Sequence, residues 1–502
     1  MAARAAATPP PRPPGAARPR GFVALVGLVA LLAALKLALA ASGPELDTDA
    51  YGHAVIGRRF LVDPSNIHLH WVWLPLWHVV HAAFARAGSG LEALRLVDVA
   101  LSSATPLVLA RTLALAAAPR SPLPAAAGAL LALSPQCLWL GTSSQPETFF
   151  QLLVLAACHA WERDRPVATG LLSATAALLR YEAWLLPAAW FLLWAGGPRA
   201  PRRASAWLLP SLAVAGWCAL HRERTGEWLA FLRVNHDYVR DAIAHAGYPW
   251  GKAPSLLRGL AWYPLTQPYR DYGPWALLAL AGLPWFARRA PASHRAVGTL
   301  LLAFLTYGTV AHKHLGLARH YVALAPFYAT AMAAGALAIY RLAARRRPSG
   351  RRPLRLPGSL ARGLAARRPA PAPRRHAPAP RGAHAALAAV ALVALAQTRP
   401  SVRFLFDAHR RAFLPEREAA RALPSLAPEG VTVATDLPRV EVYTGLPYRR
   451  FIAWGGEVPP TWQGPTGWVI VTAPARAPAG LRELFRNDEV VVLGPAAAPP
   501  AE

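Results

Sequence analysis

Asp47 and Asp49 are carboxylates one residue apart, with the imidazole of His53 close behind, in the stretch Glu45-Leu46-Asp47-Thr48-Asp49-Ala50-Tyr51-Gly52-His53. Such a pair can hold a divalent cation such as Mg or Mn, take a proton from a hydroxyl, or do both. The stretch follows at once on an apolar run, Phe22–Ala41, long enough to cross a bilayer. Solvated loops also carry acidic pairs, so the chemistry depends on where the chain brings these two. Further charged or polar side chains lie against apolar runs at Glu147, Arg180, Glu182, Lys313, Arg319 and His320, with Tyr321 next in line.

The elements that must position them are membrane helices. The chain has 502 residues, 54% of them hydrophobic, and a mean hydropathy of +0.25. Apolar segments recur along most of its length, which points to a polytopic membrane protein. A formal charge of +28 suggests a nucleic-acid partner until it is located. Residues 341–384 alone carry 13 Arg and no acid, whereas residues 400–502 carry 11 Arg against 11 Asp plus Glu. The excess therefore lies in short loops between apolar runs, as in cytoplasmic loops, and nucleic acid is excluded as a partner. Cys137, Cys158 and Cys218 all fall in apolar segments, with neither disulfide nor metal-ligand spacing.

Residues 1–20 read as a disordered basic cytoplasmic tail and 21–340 as the membrane module. The segment 341–384 reads as an Arg/Pro-rich cytoplasmic loop, 385–397 as the last transmembrane helix, and 398–502 as an external domain. The run 22–41 is also compatible with a signal peptide, since Ala38-Leu39-Ala40 offers small residues for cleavage. Its length and the many spans that follow favour a first transmembrane helix, with Lys36 snorkelling to the interface. The segment 71–86 is apolar but short, broken by Pro75 and dotted with His and Trp. Were it to span, the basic loops 199–203, 288–295 and 341–384 would face outside. An interfacial helix within a long external loop, 42–94, places them all inside. Further spans are expected at 95–118, 124–143, 147–161, 167–180, 182–196, 205–220, 274–287, 296–311, 321–340 and 385–397, about eleven in all. Arg180-Tyr181-Glu182 falls at the tip of a helical hairpin, and 221–273 contains an amphipathic interfacial helix beginning near Trp228. In the last hundred residues a helix at 415–426 and strands at 431–435, 440–443, 468–472 and 489–493, with a second helix at 481–485, imply a small α/β domain.

This assignment, made on charge alone, gathers nearly every acid close to a span on the external face. The layout resembles the membrane glycosyltransferases of the GT-C fold, closest to the protein-mannosyltransferase, aminoarabinose-transferase and RgtA/B/C/D-like group. The resemblance rests on Asp47-Thr48-Asp49-Ala50-Tyr51 followed by Trp71–Phe84, on Gln145-Pro146-Glu147, on the charged tip Arg180-Tyr181-Glu182, on Arg319-His320-Tyr321 before Pro326, and on the terminal α/β domain. Here the acidic pair is Asp-Thr-Asp where the group has Asp-Glu, and Glu147 stands where an Asp is usual.

The resemblance implies transfer of a sugar from a polyprenyl-phosphate donor to a hydroxyl of a lipid, glycan or protein acceptor, with inversion, at the outer face of a plasma or inner membrane. Asp47 would be the general base and Asp49 its metal-binding or orienting partner, with Glu147 a further acid. Arg319, Arg180 and Lys313 would hold the departing phosphate, with His53, Glu182, His320 and Tyr321 lining the substrate site. Plainer readings stand beside these. Glu147 also suits a helix N-terminus, Arg180 and Glu182 a structural ion pair, Arg319 a snorkelling helix end, and His68, His70, His78 and His81 interfacial packing. A lipid or polysaccharide transporter, or a catalytically silent scaffold of the same fold, is the alternative function.

Overall fold

The computed structural model describes residues 21–70, 73–118, 121–197, 200–246, 256–313, 315–346 and, with breaks, 392–494. The tail 1–20, the Arg/Pro-rich loop from 347 onward and most of the last predicted helix, 385–397, lie outside the described residues. Elsewhere the chain is mostly helical, closed by a small sheet. Helix α1 spans Phe22–Ala41, α2 Thr48–Phe60, α3 Pro75–Arg86 and α4 Leu91–Ala116.

Apolar composition sets most of the helices, the polar α2 apart, and proline sets many of their starts, because an N1 proline forfeits only an N–H that has no partner there. Pro75, Pro146 and Pro166 each open one. By length and composition, four helices among the described residues can cross a membrane: Phe22–Ala41, Leu91–Ala116, Pro201–Thr225 and Ala325–Ala344. Other expected spans are shorter or broken. The run 124–143 forms two helices, Leu123–Ala132 and Pro135–Leu140, because Ser134 caps the second one through the Cys137 N–H. The hairpin at 180–182 is a break between Pro166–Ala177 and Leu186–Ala195, bridged by a 3-10 turn, Tyr181–Leu185. Helix α3, with 12 residues, is about 18 Å long, well short of a hydrocarbon core of about 30 Å. Lys36 does not snorkel: it is buried and donates to Ser102 Oγ at 2.7 Å.

The acidic stretch is a helix rather than an extended loop. Asp47 is the N-cap of α2, accepting from the Asp49 N–H, while Arg58 and Arg59 in the last turn complement the helix dipole. Gly57 lets α3 close on α2, since a Cβ there would meet His81 Cβ at 2.5 Å.

The helices Leu278–Arg289 and Ala325–Arg346 cross at Gly282 and Gly335, where added Cβ atoms would sit 1.8 Å from Ala331 O and 1.9 Å from Leu278 O. Backbone cannot yield as a side chain does. Gly282→Ala is therefore expected to destabilise the bundle by about 1–3 kcal/mol, read as a lowered melting midpoint in detergent. An unchanged midpoint would show that the crossing is looser than drawn.

Near the carboxyl end, β1 (Thr432–Thr435), β2 (Phe451–Ala453), β3 (Trp468–Thr472), β4 (Arg482–Arg486) and β5 (Val491–Gly494) form one sheet in the order β2-β1-β3-β5-β4. The first three strands are parallel; β5 runs antiparallel to β3 and to β4. Two expectations reverse here. Val440–Tyr443 is not a strand but the end of a helix, Pro438–Tyr443, which Pro438 starts; 481–485 is not a helix but most of β4, recruited by pairing with β5.

This domain latches onto α2. Tyr51 donates to Glu45 O at 2.9 Å and meets the Tyr443 hydroxyl. Arg439 donates to Thr48 Oγ1 at 2.8 Å, and Arg59 lies 3.4 Å from Glu441.

Candidate active site

Beneath α2 lies a cavity of about 490 Å³ whose lining combines an apolar wall with a charged one. Leu74, Leu179, Leu232, Val239, Phe304 and Leu305 supply the first. Asp49, His53, Glu147, Arg180, Glu182, Lys313, Arg319 and His320 supply the second. Four separate segments thus bring their predicted site residues together.

Arg319 is the hub. Its Nη1 lies 3.4 Å from Asp47 Oδ2, its Nη2 pairs with Asp49 Oδ2, and its Nε lies 3.5 Å from Glu147 Oε1. Burial works against the charge on Arg319, yet Glu147, Asp49 and Asp47 outweigh it and raise its pKa. Arg180 grips Glu182 with two bonds, 2.7 and 3.1 Å long, and its Nη1 donates to Glu147. Burial is opposed by Glu182 and Glu147, so this guanidinium too is held charged.

Asp47 and Asp49 are not equivalent. Asp47 spends Oδ1 on capping α2 and is not among the cavity-lining residues, whereas Asp49 lines the cavity. Burial raises the Asp47 pKa, with Asp49 and Glu147 adding to the rise against the pull of Arg319. Tyr321 is separated from the rest: it is buried, absent from the cavity lining, and packs against Tyr328 with ring centroids 5.6 Å apart. Lys313 lines the cavity from an exposed turn.

The sequence reading offers Asp49 as a ligand for a divalent cation. No group of three or more His, Cys, Asp or Glu among the described residues converges to hold one. Asp49, the expected ligand, is paired with Arg319, which an ion would have to displace.

Sequence reasoning missed Glu45. Fully buried, it accepts from the N–H groups of Leu46 and Asp47, from Ser143 Oγ and from the Ser144 N–H, all at 2.8–2.9 Å. Burial raises its pKa, and Arg95, 3.5 Å away, opposes the rise. It thereby ties the turn before α2 to the loop before Glu147. Its place two residues before Asp47 was the available signal.

No protein-family model matches the chain, and no curated protein matches it in sequence. Solved structures do. ArnT from Cupriavidus metallidurans in the apo state aligns over 96% of this chain and 99% of its own, with 15% identity and a TM-score of 0.61. The same protein bound to undecaprenyl phosphate aligns over 96% and 100%, with the same identity and TM-score. The archaeal oligosaccharyltransferase AglB from Archaeoglobus fulgidus, in complex with an inhibitory peptide and a dolichol-phosphate, gives 12% identity over 86% and 64%, at a TM-score of 0.46. The likeness to ArnT extends over nearly the whole of both chains, and the fold is the GT-C fold.

Proposed function

We propose that this protein is a membrane glycosyltransferase that moves a sugar from a polyprenyl-phosphate donor to an acceptor hydroxyl. One observation carries the reading: a cavity with an apolar wall for lipid ends in a carboxylate that faces it, Asp49, paired with a guanidinium, Arg319. The solved relative of the same fold that holds undecaprenyl phosphate supports the choice of lipid.

In this reading the acceptor oxygen attacks the anomeric carbon, its proton passes to a carboxylate, and the polyprenyl phosphate leaves with the electrons of the broken bond. A single displacement inverts the anomeric centre. The base is assigned to Asp49 in place of Asp47, because Asp49 faces the cavity while Asp47 caps α2. Arg319 turns from carboxylate to phosphate as the donor enters, assisted by Lys313, while Arg180 remains committed to Glu182 and Glu147.

Incubating the purified protein with labelled polyprenyl-phosphate sugars and scoring released polyprenyl phosphate tests the reading. Release from at least one donor is expected. None from any donor would favour the transporter alternative.

We also propose, from the sign of the loops, an orientation with about eleven spans, cytoplasmic amino terminus and 341–384 loop, and external 42–94, 221–273 and 398–502. With Cys218 replaced, a cysteine at the exposed Ser65 should react with an impermeant reagent on intact cells, and one at position 360 only after permeabilisation. The opposite pattern would invert the scheme.

A further inference from the structure

Behind the cavity wall three buried imidazoles form a hydrogen-bonded chain. His53 Nδ1 lies 2.9 Å from His78 Nε2, and His78 Nδ1 lies 2.7 Å from His70 Nδ1. None of the three is more than 4% exposed. An N···N contact needs one donor and one acceptor, and a neutral imidazole has one of each. Only two neutral arrangements satisfy both contacts. In the first, His53 Nδ1–H donates to His78 Nε2, His78 Nδ1–H donates to His70 Nδ1, and His70 carries its own proton on Nε2. In the second, His70 Nδ1–H donates to His78 Nδ1, His78 Nε2–H donates to His53 Nδ1, and His53 carries its proton on Nε2. The two differ by one proton moved between the outer nitrogens, His53 Nε2 and His70 Nε2.

Resting on the function proposed above, we infer that this chain is a proton relay that resets the catalytic carboxylate. Asp49 must be ionised before each transfer, yet every transfer leaves the acceptor's proton on it. His53 stands four residues further along α2, on the same helix face and in the same cavity wall. A proton passing from Asp49 to His53 Nε2 shifts the His53 Nδ1 proton to His78 Nε2 and the His78 Nδ1 proton to His70 Nδ1. The His70 Nε2 proton then leaves. One proton enters, one departs, and all three rings end neutral in the second arrangement; the chain returns to the first when His53 Nε2 gives its proton to the departing polyprenyl phosphate and His70 Nε2 takes one up.

The surroundings favour such neutral transfer over a trapped imidazolium. Arg319 and Arg180 face His53 across the cavity, Arg58 faces His81 from α2, His81 stacks on His53 from α3, and His221 lies beside His70. Burial first, and these neighbours second, hold His53 and His78 well below the usual histidine range and His70 at about 4. At the far end, His68 is exposed two residues before His70, and His221 has both ring nitrogens without a hydrogen-bond partner among the described residues.

The test uses the full-length protein in lipid nanodiscs with a donor that the wild type accepts. His78→Gln keeps hydrogen-bonding capacity but breaks the relay. The first turnover should proceed at the wild-type rate, steady-state turnover should fall by about tenfold or more, and donor Kd should not move. His70→Gln, remote from the cavity, should reproduce the pattern and guards against a folding defect in the first variant. Equal loss in first and later turnovers, or no loss in either, would overturn the relay. Should the wild type transfer no sugar, the functional reading fails instead, and ¹⁵N NMR of labelled His78 judges the relay by itself. Both neutral tautomers populated supports it; a single fixed tautomer removes it.

Discussion

Replacing Asp49 with Asn is expected to slow sugar transfer by about 10²–10⁴-fold, the usual worth of a general base, while donor affinity changes little. Asn keeps the shape of the side chain and can accept from Arg319 through its carbonyl oxygen, but it cannot take the acceptor's proton. The control is Asp47→Asn. Asn is as good an N-cap as Asp, so α2 should persist, and the loss of one 3.4 Å contact with Arg319 should cost about tenfold or less in rate. Single-turnover rates with a labelled donor, set beside equilibrium donor binding, distinguish the two variants. If the larger loss fell on Asp47, the base would be Asp47, as the resemblance to the GT-C group implies.

The second large effect is expected at Arg319. A guanidinium grips two phosphate oxygens in a fixed plane, whereas an ammonium offers a point charge. Arg319→Lys should weaken donor binding by about 10–100-fold, in line with about 1.5–3 kcal/mol for a hydrogen bond to a charged group. The charge is kept for a reason: Asp47, Asp49 and Glu147 all lie against this side chain, and Arg319→Ala would leave them facing one another. That variant would mix a folding defect with a binding defect. Donor titration of the Lys variant, with its melting midpoint checked against wild type, isolates binding. Unchanged affinity would remove Arg319 from the phosphate site.

The helices were legible because a membrane narrows the possibilities: apolar runs have to satisfy their backbone internally, and prolines mark where helices restart. The charged residues of the site were legible for a related reason. Glu147, Arg180 and Arg319 stand at the ends of apolar runs, where an uncompensated charge has to be explained. What could not be read was anything made by tertiary contact. Helix α2 is polar and short, so its acidic start looked like a loop until the Asp47 cap, the Gly57 approach to α3 and the latch of the terminal domain were in view. The unequal standing of Asp47 and Asp49 follows from that cap. Val440–Tyr443 alternates like a strand, but Pro438 and packing on α2 make it helical. The histidines read as interfacial packing because spacing alone does not reveal a shared hydrogen-bond line.

The latch on α2 also orders events in time. Tyr51 meets Tyr443 across 392 residues of chain, and Arg439 reaches Thr48, which stands between the two aspartates, from almost as far. Chains emerge from the ribosome amino end first. Every carboxylate of the site is therefore delivered to the membrane long before the domain that braces α2 has been synthesised. Until then the helix bearing Asp49 lacks one of its walls, and an incomplete chain presents the charged residues without their finished geometry. The latch therefore forms only after the helix that it braces.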